Sequence, residues 1–119
     1  MEANAHETIR RTIHDALVFL GPNGENWIQD CLAKDDQGRF VIGDREFIRS
    51  QAAKCCLIGA LVKVTTSDED LENTCAFLRE VLFRGRSRFS LGAFNDTAEW
   101  SQVKELLEHA REAVTTPRE

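Results

Sequence analysis

Between Ala52 and Val64 the chain reads Ala-Ala-Lys-Cys-Cys-Leu-Ile-Gly-Ala-Leu-Val-Lys-Val, and a segment this apolar constrains everything around it. Its two charges, Lys54 and Lys63, stand nine residues apart, which is about 180° on a helical wheel. They cannot share one solvated stripe, so a helix here must be covered on several sides. The spacing predicts a helix from about Arg45 to Val64, with Asp44 as its N-cap. The stretch is too short for a bilayer and carries lysine, which excludes a membrane span from it. A chain of 119 residues must therefore supply the covering elements itself.

Those elements are legible on either side. Ile9, Ile13, Ala16, Leu17 and Leu20 recur at helical spacing over residues 5–20, and Gly21-Pro22-Asn23-Gly24 stops that helix. Ser67-Asp-Glu-Asp70 reads as a cap with acid in the first turn, followed by Leu71, Cys75, Leu78 and Leu82, ending near Arg84-Gly85. Asp96 or Thr97 reads as the cap of a last helix, with Glu99 as capping-box partner and Trp100, Val103, Leu107, Ala110 and Val114 as its stripe. Trp27–Ala33 and Arg39–Ile42 flank the turn-rich Lys34-Asp-Asp-Gln-Gly38 and predict a β-hairpin. A helical turn at Trp27–Ala33 is the alternative, since Trp27, Cys31 and Leu32 also fit one. Arg86–Ala93 reads as irregular or as a short helical turn. The fold class that follows is α+β and helix-dominated: about four helices packed around a central buried helix, with one small β-hairpin. Residues 1–119 form a single domain, frayed over 1–4 and 115–119.

Composition narrows the function. Hydrophobic residues make up 42%, an ordinary globular share that argues against disorder. A net charge of −5 argues against a general nucleic-acid binder. The polar start, Met1-Glu-Ala-Asn-Ala-His-Glu, lacks the apolar core of a secretory signal, so a cytoplasmic location is expected. Cys31, Cys55, Cys56 and Cys75 then read as reduced thiols. They show no paired C-x-x-C spacing, and neither a metal site nor a cofactor is expected. Cys56 and His109, with Asn95 or Asp96, supply the residue types of a thiol hydrolase. A reactive thiol wants a helix N-terminus or a cation beside it, whereas the reading above puts Cys56 mid-helix among apolar neighbours. It reads better as a buried hydrophobe. Arg79, Arg84, Arg86 and Arg88 face the single acid Glu80, a local charge of +3 flanked by Phe83 and Phe89. Guanidinium forks suit carboxylate or phosphate. Ile58-Gly-Ala-Leu61 and Leu91-Gly-Ala-Phe94 are similar quartets, both explained by close packing.

The order of these motifs carries a resemblance. Trp27 ahead of Asp36-Gln-Gly38, then Cys56-Leu-Ile-Gly-Ala60, then Phe94-Asn-Asp96, resembles the family catalogued as domain of unknown function 6197, over about residues 8–114. That family typically shows Cys-x-x-Gly-Ala and Trp-Asn-Asp at these places. This chain departs from it at Phe94 and in its extra Cys55. The resemblance implies the fold layout and a bacterial or phage setting, and implies no activity.

The function expected is a small, non-enzymatic binding or regulatory protein of the cytoplasm, recognising a macromolecular partner, such as a phage-type inhibitor of a host complex. Trp27, Arg84, Arg86, Arg88, Phe94, Asn95 and Asp96 are the expected partner-binding residues. A protein partner is expected, with nucleic acid or an anionic ligand as the alternative through the Arg84–Arg88 segment. The alternative of another class is a cysteine-dependent enzyme using Cys56 and His109.

Overall fold

Ile9, Ile13, Ala16 and Leu20 are buried along one face of the first helix, as their spacing requires. A computed structural model describes residues 3–83 and 90–115. In chain order it holds α1 (Ala3–Leu20), β1 (Ala33–Lys34), α2 (Arg45–Gln51), β2 (Lys54–Cys55), α3 (Leu57–Val64), α4 (Asp68–Phe83), α5 (Leu91–Thr97) and α6 (Trp100–Thr115). The protein is helix-dominated with one small antiparallel sheet, as the sequence predicts. α1 ends where expected: Gly21 adopts φ 89° and its N–H donates to the Leu17 carbonyl at 3.0 Å.

The long helix expected over 45–64 is instead two helices with a strand between them. Asp44 caps α2, its Oδ1 accepting from the Phe47 N–H at 2.9 Å. The chain then leaves the helix at Ala52, and Ala53 N–H donates to the Lys34 carbonyl at 2.8 Å. β2 pairs antiparallel with β1, Ala33 opposite Cys55 and Lys34 opposite Lys54. Cys55 is also bonded on its other side, donating to the Asn26 carbonyl at 2.8 Å and accepting from Ile28 N–H at 3.0 Å. A run apolar all round has no period, and so helix and strand cannot be separated along it by pattern. The buried centre falls to α3, whose Leu57, Gly59, Ala60, Leu61 and Val62 are all buried. It packs on α1, α2, α4 and α5, while α1 packs most extensively on α6.

The expected hairpin exists only in rudiment. Its turn forms as predicted: Asp35 Oδ1 accepts from Gln37 N–H at 3.0 Å and Arg39 N–H at 2.9 Å, and Gly38 adopts φ 81°. Beyond that turn only a single bridge joins Lys34 to Phe40, and the strand partner of β1 is β2. Trp27–Ala33 is neither a full strand nor a helical turn; Trp27 makes one parallel bridge to Cys55.

α4 starts at the Ser67 cap, whose Oγ accepts from Asp70 N–H at 3.1 Å. The expected cap at Asp96 or Thr97 is corrected: both lie inside α5, which Ser90 caps through its Oγ and Ala93 N–H. α6 begins after Glu99, whose N–H donates to Gln102 Oε1 at 2.8 Å. This is the reciprocal half of a capping box, three residues later than predicted. Arg84, Arg86 and Arg88 lie outside the described residues. Among the described residues no helix is long and apolar enough to cross a membrane.

Candidate functional site

Every helix leaves its first N–H groups without partners in the helix, and α3 starts inside the protein, where water cannot answer them. Cys56 occupies the N-cap with extended backbone, and its Sγ accepts from Gly59 N–H at 3.3 Å. Asn95 reaches across from α5, and its Oδ1 accepts from Leu57 N–H at 2.9 Å. The same oxygen accepts from Trp27 Nε1 at 2.6 Å. Its Nδ2 donates to the Ile28 carbonyl at 3.1 Å and to Asp96 Oδ1 at 3.2 Å. A carboxamide has two acceptor and two donor positions, and the fully buried Asn95 uses all of them.

The surrounding residues tighten the same joint. Asp96 Oδ1 accepts from Asp30 N–H at 2.8 Å, holding a residue whose φ of 72° is left-handed. Gln29 Nε2 donates to the carbonyls of Asn95 at 3.0 Å and Ala98 at 2.8 Å, which the end of α5 would otherwise leave open. The Trp27 ring lies tilted against Trp100, centroids 5.8 Å apart. Trp27, Cys56 and the Asn95-Asp96 pair, from three distant parts of the chain, thus meet at the start of α3. Phe94 faces away from them, because neighbouring helical residues point about 100° apart. It lines a cleft of about 400 Å³ with Val81, Leu82, Leu106, Glu105 and His109.

The thiols are placed differently from the reading by sequence. Cys56 is a helix N-cap, the position that ordinarily activates a thiol. Burial nevertheless raises its pKa against the lowering by the Gly59 and Ile58 amides, and the Asp96 carboxylate raises it further. Burial pushes the Cys55 thiol up to about 12. Both are protonated at neutral pH, and what Cys56 does there is accept a hydrogen bond. His109 is exposed on α6, and no hydrogen bond joins it to Cys56. Among the described residues no cluster of three His, Cys, Asp or Glu side chains could hold a metal ion.

The N-cap role separates two substitutions. Cys56→Ala loses both the cap and the packed sulfur, and should destabilise by about 1–2 kcal/mol. Cys56→Ser keeps an acceptor at the cap and should recover most of that loss. Urea unfolding midpoints of the two variants check this; equal midpoints would show that the sulfur acts only by its volume.

A second feature has no motif in the sequence. Among the described residues five large hydrophobic side chains are exposed, and four of them, Leu32, Phe40, Ile42 and Phe47, lie within sixteen residues of chain. Phe40 is 66% exposed and Ile42 83%. Leu32, Phe40 and Ile42 wall a cavity of about 340 Å³ floored by Ala33, Val41 and Ile48. The signal was present in Phe40-Val-Ile42: three successive apolar residues in an extended segment cannot all face one core.

Comparison with known proteins adds a family. A model described as a family of unknown function (DUF6197) matches residues 4–113. No curated protein and no solved structure matches the chain.

Proposed function

We propose, from the premise that the chain belongs to this family of unknown function, that it is a non-enzymatic binding protein for a macromolecular partner. The observation that carries this reading is the clustering of Leu32, Phe40, Ile42 and Phe47 on the surface around β1 and the start of α2. Scattered exposed hydrophobics need no explanation, but Leu32, Phe40 and Ile42 wall one cavity, which is the anatomy of an interaction site. The chemistry of the α3 start supports the same side. Asn95 is fully buried and Trp27 spends its N–H on it, so both act by fixing the segment that carries Leu32. The protonated, hydrogen-bonded Cys56 is a poor nucleophile, which weighs against the thiol-enzyme alternative. A protein partner in the cytoplasm of a bacterial or phage-infected cell fits this reading, with inhibition of a host complex as the form it would take.

The test is retention of a partner from native lysate by the whole protein and by the double variant Phe40→Ser, Ile42→Ser. Both side chains are mostly in water, so each change should move folding stability by no more than about 0.5 kcal/mol. Specific retention should nonetheless fall to background. A variant that retains the same proteins as the parent would overturn the assignment of this surface.

A further inference from the structure

The cavity beside Phe40 and Ile42 has a single charged residue in its lining, Asp30. Every other side chain there is apolar or is the Cys31 thiol. Asp30 is exposed and holds a left-handed φ of 72°, which glycine would take without strain. The bond that fixes this turn comes from its main chain, the N–H donating to Asp96 Oδ1 at 2.8 Å. Its carboxylate makes no hydrogen bond or ion pair among the described residues. The fold therefore uses the backbone of Asp30 and leaves its charge free at the cavity.

Both signs of charge occur around the rim, but they are not equally available. Arg39 is paired with Asp35, and Arg45 with Asp68. Lys34 follows Ala33, which floors the cavity, so its side chain leaves the other face of the strand. Its Nζ lies over the Phe40 ring, 5.5 Å from the centroid, and Lys54 stands opposite it in the β1–β2 pair. Among the acids, Asp44 gives its Oδ1 to the α2 cap. Asp36 in the preceding turn and Glu46 in α2 are exposed, with no ion pair among the described residues. The charge left for a ligand at this cavity is negative.

We infer that this cavity takes a large apolar side chain of a partner protein with a lysine or arginine next to it in sequence, whose cation meets the Asp30 carboxylate. A pocket with apolar walls and one charge fixes its ligand by shape and orients it by that charge. Neither Phe40 nor Ile42 has a backbone hydrogen-bond partner among the described residues, so the rim opens along an unpaired edge where an extended segment can lie. The inference rests on the protein-binding reading above and names the partner's chemistry at the same surface. A second copy of this chain is the competing occupant, since Arg39-Phe40 is itself an exposed basic and apolar pair. Its guanidinium is already on Asp35, and two chains of net charge −5 repel each other.

The probe is the capped tripeptide Leu-Leu-Arg, compared with Leu-Leu-citrulline, which keeps the shape and loses the charge, and with Leu-Leu-Glu. Amide chemical shifts of the whole protein locate and titrate binding. The arginine peptide should shift the amides of Asp30, Phe40 and Ile42. The citrulline peptide should bind there about tenfold more weakly, the scale of one charge-assisted hydrogen bond, and the glutamate peptide should not bind. Asp30→Asn makes the matching change in the protein, because asparagine also tolerates a left-handed φ. It should lower the affinity for the arginine peptide to that for citrulline and leave the citrulline affinity unchanged. The comparison of peptides on the parent protein stands even where that variant fails to fold. Equal affinity for all three peptides, arginine binding unchanged by a folded Asp30→Asn, shifts confined to another surface, or concentration-dependent dimerisation through this face would each overturn the inference. If Phe40→Ser, Ile42→Ser abolishes partner retention while the arginine peptide binds no better than citrulline, the inference falls and the proposed function stands.

Discussion

Asn95→Leu is expected to remove about 3–5 kcal/mol of stability, a large part of the roughly 5–15 kcal/mol that a domain holds. Leucine repeats the branched skeleton but is bulkier, so the loss combines unmade hydrogen bonds with some overpacking at a fully buried site. Trp27 Nε1, Leu57 N–H and the Ile28 carbonyl lose their partner together; the Leu57 bond is buried and the other two are part-buried. A buried group left unsatisfied costs about 1–3 kcal/mol. The three losses are not additive, because freeing Trp27 lets the joint relax as a unit. Asn95→Asp tests the mechanism. Its ionised carboxylate would sit buried beside Asp96, so its pKa in the folded state is raised above the unfolded value. Such a group contributes its stability at low pH and loses it as pH rises through the folded pKa. Below that pKa the protonated carboxyl can also donate to Ile28. The aspartate variant should therefore gain on the leucine variant as the solution is acidified. Denaturant midpoints at several pH values measure this; an Asn95→Leu midpoint equal to the parent's would refute the role assigned to the carboxamide.

Gly59→Ala sets two effects of opposite sign against each other. In a helix interior alanine is favoured over glycine by about 1 kcal/mol. A Cβ built on Gly59, however, runs into the Leu32 carbonyl oxygen and comes within 3.1 Å of Cys55 Cβ. That carbonyl is backbone and already accepts from Cys56 N–H at 3.1 Å, so it cannot yield without opening the joint between β1 and α3. Overpacking of this kind costs about 1–3 kcal/mol, and the strained hydrogen bond adds about 1. The clash wins, and a net loss of about 2 kcal/mol is expected. Gly92→Ala is the control. There the nearest atoms to a new Cβ are Ser90 Oγ at 3.8 Å and Ile58 Cδ1 at 4.0 Å, ordinary contacts. This variant should match the parent or gain up to about 1 kcal/mol. Thermal midpoints of the pair check the argument, and a stabilised Gly59→Ala would overturn it.

Those two glycines show where reading a sequence stops. Ile58-Gly-Ala-Leu61 and Leu91-Gly-Ala-Phe94 look alike as text, and packing explains either. Only one has a carbonyl from 27 residues earlier in the chain, that of Leu32 just before β1, pressed against it. Phe94-Asn-Asp96 is similar: asparagine and aspartate suit a cap anywhere, and the sequence places them before α6. In the folded protein Asn95 serves the start of α3, which lies 38 residues away in the chain.

What the sequence determined by itself is local. Apolar period placed α1, α4 and α6, since 3.6-residue spacing leaves a mark in any amphipathic helix. Gly21, Asp44, Ser67 and Asp35 marked their cap and turn positions because those bonds close within a few residues. The burial of the segment around Leu57 also followed from its composition alone. Tertiary structure decided everything that depends on a distant partner. It broke the 45–64 helix at Ala52, because residues 53–55 gain backbone bonds from Asn26, Ile28 and Lys34 that a continuous helix would forgo. It made Cys56 a cap, brought Trp27 to Asn95, and left Phe40 and Ile42 on an open edge. Each is a pairing across the fold, and a pairing has no signature in the spacing of either member.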